Sequence, residues 1–160
     1  MQLLIAAIGK MRAGPEAAII SDYQKRTAGA GRQIGFSGPE IFESEAPKNL
    51  TGAKRRQRDG ALLLGAIPNE AHVIVLDEHG RAFTSQDLAG MLGRLRDDGI
   101  SAAAFLIGGA DGHGPEIKAR AAQTLSFGAA TWPHMLVRVM LAEQLYRAMT
   151  ILSGHPYHRQ

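Results

Sequence analysis

Short apolar runs alternate along the chain with longer stretches in which apolar residues recur every three or four positions. That alternation predicts an α/β fold with a mostly parallel central sheet flanked by helices. Leu3 to Ile8 reads as a first strand closed by Gly9, and Pro15 to Arg26 as a helix that turns Ala18 and Ile19 toward the sheet. The Gly/Pro-rich stretch from Gly29 to Pro47 carries Ile34, Phe36, Ile41 and Phe42 and predicts a strand. Thr51 is placed as the N-cap of a helix running to about Gly65. Val73 to Leu76 is a buried strand, and Asp77-Glu78-His79-Gly80 reads as the turn that ends it. Ser85 is expected to cap a helix whose Leu88, Met91, Leu92 and Leu95 form one apolar stripe, ended by Gly99. Ala102 to Ile107 is the next strand, Pro115 opens a helix to about Gln123, and Leu125 to Phe127 is a short strand. A last helix spans His134 to Leu152, with Pro133 before its first turn, where a missing N–H costs nothing.

Composition narrows the class. The 160 residues, 45% apolar and 21% charged, form a single globular domain over 1–160, and no linker divides them. Cysteine is absent, which excludes disulfides and thiolate zinc sites. The opening run has no basic segment before it, and no stretch nears the roughly 18 apolar residues of a membrane helix, so a cytoplasmic protein with no membrane contact is expected. The net charge of +3 favours a polyanionic partner. Lys54, Arg55, Arg56 and Arg58 concentrate that charge within five residues; they are either a solvated helix face or a phosphate-binding surface.

Two loops carry candidate chemistry. Gly108-Gly109-Ala110-Asp111-Gly112-His113-Gly114 follows a strand but matches neither G-x-G-x-x-G nor a P-loop. It is either a tight strand-to-helix turn or a backbone cradle for a cofactor that is not a polyphosphate. The loop before the last helix lies at a second strand end, where α/β sheets bind ligands. Within that helix Val137, Leu141, Leu145, Ala148 and Leu152 share an arc that also holds Arg138, whereas Glu143 and Arg147 form an i,i+4 pair on the exposed stripe. An arginine among apolar residues needs a carboxylate, carbonyls or phosphate; Asp77 is one buried acid it could pair with, and snorkelling at the helix start is the alternative. Val139 and Tyr146 widen the arc beyond one sheet contact, which points to a homodimer. His72, His79 and His113 read as loop or turn residues without metal-ligand spacing, so no metal is expected. The tail His155-Pro156-Tyr157-His158-Arg159 joins stacking and cationic groups in a form suited to RNA.

Thr131-Trp132-Pro133-His134-Met135-Leu136-Val137-Arg138, the helix that follows, and the terminal His-Pro-Tyr-His-Arg together closely resemble the RlmH family. These are SPOUT-class methyltransferases of large-subunit ribosomal RNA. Leu76-Asp77-x-x-Gly80 and Ile107-Gly108-Gly109-x-x-Gly112 match the family in order and spacing. The match is strongest from Val73 onward. Trp132 stands where the family commonly has a smaller apolar residue, and Ala110-Asp111 varies the loop.

The resemblance implies a SPOUT fold with a C-terminal deep trefoil knot, a homodimer, and S-adenosyl-L-methionine as cofactor. It implies that Leu76, Gly108, Phe127, Gly128, Ala129, Ala130, Thr131 and Trp132 bind that cofactor. The implied reaction methylates N3 of a pseudouridine in 23S rRNA within the assembled ribosome. His158, Tyr157 and Arg138 are then the expected catalytic groups, with His158 accepting the proton and Arg138 stabilising charge or ordering the tail. His155 and Arg159 join Lys54, Arg55, Arg56 and Arg58 on the RNA side. Another RNA such as tRNA, or a non-catalytic ribosome-binding factor, are the competing functions. The short chain without an added RNA-binding domain argues against free tRNA.

Overall fold

A computed structural model describes residues 1–45 and 49–157. Its elements follow in chain order as β1 (Gln2–Ile8), α1 (Pro15–Arg32), β2 (Ser37–Ser44), α2 (Gly52–Gly65) and β3 (His72–Ala82). Then come α3 (Ser85–Asp97), β4 (Ala102–Ile107), α4 (Pro115–Arg120), β5 (Gln123–Ser126) and α5 (His134–Leu152). The strands form one parallel sheet in the order β2-β1-β4-β3-β5.

The unbroken apolar runs exist because the central strands are buried on both faces. Leu3, Ile5, Ala7, Ile74, Phe105 and Ile107 point to one side, against Leu88 and Leu92 of α3 and Leu141 and Leu145 of α5. Leu4, Ala6, Ile8, Val73, Val75 and Leu106 point to the other, against Leu63 of α2 and Ile117 of α4. Neighbouring residues thus belong to different cores, as a two-residue side-chain period requires.

Several expected boundaries change. α1 runs past Arg26 to Arg32, with Ile20, Thr27 and Gly31 buried, while Ala18 and Ile19 are exposed. Gly31 belongs inside the helix because a Cβ there would lie 3.0 Å from that of Phe36 and 3.3 Å from the Met149 sulfur. The following strand occupies Ser37–Ser44; Pro47, at the end of the stretch expected to hold it, lies outside the described residues. Thr51 is the N-cap of α2, but its side chain makes no capping bond; the Asp111 carboxylate accepts from Gly52 N–H at 3.1 Å instead. α3 is capped by Thr84 rather than Ser85, since Thr84 and Asp87 form a reciprocal capping box. Ser85 donates across to Gln144 at 2.8 Å. α4 stops at Arg120 because Ala122 N–H already bonds to Val73 O at 2.9 Å, and β5 begins at Gln123, two residues before the expected Leu125.

The expected turn at Asp77–Gly80 is part of a strand. β3 continues to Ala82, and Leu76 and Arg81 both register against Leu125, so residues 77–80 form a bulge. Glycine at 80 lets the two chains approach, since a Cβ would lie 2.6 Å from the Leu125 carbonyl carbon. His72 and His79 accordingly sit in a strand, not in loops. The last helix occupies the expected range, with Arg138, Leu141, Leu145 and Ala148 buried.

Candidate active site

β4 crosses to β5 over β3, so the chain changes direction across the sheet at this point. Ligands gather in the crevice where strand order reverses. The bulge of β3, the loop after β4 and the loop after β5 line a cleft of about 740 Å³ there. Its apolar wall comes from Leu76, Ile107, Leu125, Phe127 and Val137, and its rim carries Asp77, Glu78, Asp111, Arg56 and Lys118.

Each wall has a local cause. Gly109 and Gly112 close a turn through a 3.1 Å backbone bond, with Gly112 at φ +72°. Gly109 lies over Asp59 of α2, where a Cβ would come within 2.9 Å of the carboxylate. In the loop after β5, the Ser126 hydroxyl donates to Gly128 O at 2.9 Å and accepts from Gly128 N–H at 3.2 Å. Gly128 adopts φ +111° to make that closure. Thr131 Oγ1 donates to Glu78 at 3.3 Å and ties the loop to the β3 bulge.

The cleft joins most of the expected cofactor residues. Leu76, Gly108, Phe127, Gly128, Ala130, Thr131 and Trp132 line it, whereas Ala129 does not, and Arg56 is the member of the basic cluster that does. Lys54 and Arg58 are exposed. Arg55 turns inward, with Nε 4.0 Å from both Asp59 and Asp111. Among the described residues no cluster of His, Cys, Asp and Glu is arranged to hold a metal.

Arg138 is 3% exposed and lies outside that cleft. Nη1 donates to Glu43 at 2.8 Å and Nη2 to Ile8 O at 2.6 Å. The buried acid that meets it is therefore Glu43 of β2, not Asp77. Burial pulls the guanidinium pKa down against the opposing Glu43 charge. The pair borders a smaller cavity of about 390 Å³ with Lys10, Met11 and Gln24.

The tail folds back on α5. Tyr157 packs edge-on against Tyr146 at 4.7 Å, and its hydroxyl lies 3.4 Å from that of Tyr23 and 3.3 Å from Glu143. The Tyr23 bond, burial and the Glu143 charge raise its pKa, so it stays protonated. The Glu143–Arg147 pair forms at 2.5 Å, half-buried beneath this tail rather than on an exposed stripe. His155 is exposed and its Nδ1 accepts from Tyr157 N–H at 3.2 Å. His158 and Arg159 lie outside the described residues.

Sequence reasoning missed several groups that the fold brings to the cleft. His113 lies in a loop as expected, but it is buried there, and desolvation lowers its pKa. His134 stands at the mouth, where partial burial and the Arg138 charge also lower its pKa. Burial pushes the Asp77 carboxyl up, but hydrogen bonds from the backbone and ring of His79 outweigh it and hold the group below the usual range. Asp59 is 2% exposed beneath the glycine loop, and among the described residues neither carboxylate oxygen has a hydrogen-bond partner. Burial raises its pKa more than the nearby Arg55 lowers it. The sequence signal was proximity to the glycine loop for His113 and to the helix start for His134; Asp77 stood in the Leu76–Gly80 motif, and Asp59 gave none.

Residues 1–158 match the family described as "Predicted SPOUT methyltransferase". The chain is 50% identical over 159 residues to a protein of Hyphomonas neptunium named ribosomal RNA large subunit methyltransferase H, covering 99% of each chain. Proteins of the same name from Bradyrhizobium sp. (strain ORS 278) and Nitrobacter winogradskyi are each 45% identical over 159 residues. They cover 99% of this chain and 98% and 99% of their own.

Proposed function

The chain belongs to the SPOUT methyltransferase family, and from that premise we propose that it methylates large-subunit ribosomal RNA using S-adenosyl-L-methionine. The target is N3 of a pseudouridine in 23S rRNA, reached in the assembled ribosome in the cytoplasm. The observation that carries this reading is the cleft at the β3 bulge and the ends of β4 and β5, together with the full-length likeness to relatives named for that activity.

The cleft's chemistry fits the cofactor. About 740 Å³ is within the usual range for small-molecule sites. Leu76, Leu125, Phe127 and Val137 offer an apolar surface for a flat purine, and Asp77 and Glu78 offer carboxylates to cationic groups. The Leu76, Gly108 and 127–132 backbone supplies donors and acceptors for orientation. When bound, the cofactor supplies an electrophilic methyl group on a sulfonium.

The protein's own task is to orient the nucleotide and take its N3 proton, because a neutral imide nitrogen is a poor nucleophile. His158 is the proposed acceptor. His134, at the cleft mouth with its pKa lowered, is a second imidazole that could take this role. Tyr157, held protonated, is suited to donating a hydrogen bond rather than to acting as base. Arg138, bonded to Glu43 and Ile8, orders the first turns of α5 and with them the cleft residues His134 and Val137. Lys54, Arg56 and Arg58, with His155 and Arg159, form the proposed RNA-facing surface.

A homodimer belongs to this reading. Ile19, Phe42, Leu136 and Trp132 are large apolar residues left exposed, and covering them would bury a surface that costs free energy in water. The C-terminal knot belongs to it as well, as the family resemblance implies.

The test is calorimetric titration of the chain with S-adenosyl-L-methionine, followed by turnover of His158→Ala on saturating ribosomes. Saturable binding is expected, together with a fall in turnover of about 10²–10⁴-fold, the usual range for a general base. Failure to bind would remove the cofactor, and unchanged turnover would remove His158 as the base.

A further inference from the structure

β3 and β4 pair only as far as Leu76 with Ile107. Beyond that point β3 bulges along β5, whereas the chain after β4 turns away toward α4. One side chain spans the gap. His113 is 8% exposed, and its Nε2 lies 3.0 Å from the Leu76 carbonyl. A carbonyl only accepts, so Nε2 carries the proton and Nδ1 keeps its lone pair. The same ring lies against Gly108, where a Cβ would sit 3.1 Å from Cε1 and 3.2 Å from Nε2. A side chain at 108 would therefore push the imidazole off the carbonyl.

The groups around His113 come from three other elements. Asp77 of β3 and Asp59 of α2 favour its cation, while Lys118 of α4 opposes it. Burial is the largest influence and lowers the pKa from its ordinary value. Nδ1 has no hydrogen-bond partner among the described residues, so a second proton would be placed on a buried nitrogen without an acceptor.

We propose that His113 is a positioning residue for the cofactor, fixing the Leu76 carbonyl and the Gly108 backbone relative to each other as the two sides of its binding cleft. The proposal rests on the reading of that cleft as the S-adenosyl-L-methionine site. The bond works with the imidazole neutral, and neutrality also keeps another positive charge away from a cationic ligand.

The experiment measures S-adenosyl-L-methionine affinity by calorimetry for the intact protein, His113→Leu and His113→Gln. In parallel, ¹⁵N spectra assign the His113 tautomer between pH 6 and 8. Leucine fills the space without a donor and leaves a buried carbonyl unpaired, so binding should weaken about tenfold. Glutamine can donate to the same carbonyl and should restore affinity to within about threefold. The spectra should show the neutral Nε2–H tautomer throughout that range.

Intact protein that does not bind the cofactor would overturn the site itself. Intact protein that binds, with His113→Leu binding equally well, would overturn the role of His113 alone. No rescue by glutamine, or an Nδ1–H tautomer, would also overturn it. These last two readouts decide the matter even if the leucine variant does not fold.

Discussion

At the scale of single residues, Arg138 and Asp59 are two buried charges of which only the first was legible in the sequence. Arg138 stood out because an arginine interrupted an apolar arc, and the structure satisfies it with Glu43 and the Ile8 carbonyl. Its partner was illegible, because Glu43 lies 95 residues earlier on a strand whose bounds the sequence placed only loosely. Asp59 gave no signal: it sits in a basic helix and resembles any solvated acid. It is buried because that helix docks beneath Gly109. Its folded pKa is raised, so its ionisation opposes folding; the protein gains stability below the unfolded pKa and loses it as pH rises through the folded one. Asp59→Asn should therefore raise the melting temperature at pH 7 by about 2–4 °C, what roughly 1 kcal/mol is worth in a chain of this size. The gain should vanish near pH 3, below the unfolded carboxyl pKa, and calorimetric scans at both values check the sign. A lower melting temperature at pH 7 would mean that the carboxylate is paired and stabilising.

Among elements, the apolar runs were legible and the polar strand was not. β1, β4 and α5 carry unmixed patterns and lie where those patterns place them. The Asp-Glu-His-Gly segment after Leu76 has the composition of a turn, yet it bulges along β5 and forms one wall of the cleft. Its strand character depends on pairing with residues near 125, which no local pattern reports. The glycines of α1 misled in the same way, since Gly31 is required by Phe36 and Met149 packing rather than by a loop. Gly80→Ala tests the bulge. An added methyl 2.6 Å from the Leu125 carbonyl carbon cannot be accommodated without separating β3 from β5. Faster amide exchange is expected at Arg81 and at Leu125, with weaker cofactor binding. Unchanged exchange at both positions would show that the close approach is not needed. The loops at 108–114 and 127–132 were legible as a candidate pair from their places at strand ends, but which ligand they hold came only through the family resemblance, because each glycine pattern alone also fits an ordinary turn.

For the whole molecule, charge and shape divide the labour. The basic residues of α2 are not equivalent. Arg55 is spent on Asp59 and Asp111, while Lys54, Arg56 and Arg58 remain open to a polyanion. Replacing those three by glutamine should flatten the dependence of log K on log salt for ribosome binding, by about 0.7–0.9 for each phosphate no longer neutralised. An unaltered slope would remove α2 from the RNA surface. The exposed apolar residues Ile19, Phe42, Leu136 and Trp132 are the surface that the proposed homodimer would have to cover. The decisive measurement for the proposed activity is methyl transfer from labelled S-adenosyl-L-methionine to ribosomes lacking the modification. Isolated large subunits and bulk tRNA run in parallel, and mass spectrometry identifies the labelled nucleoside. Label on a pseudouridine of the assembled ribosome is the expected result. Label confined to tRNA, or none on any of the three substrates, would overturn the assignment.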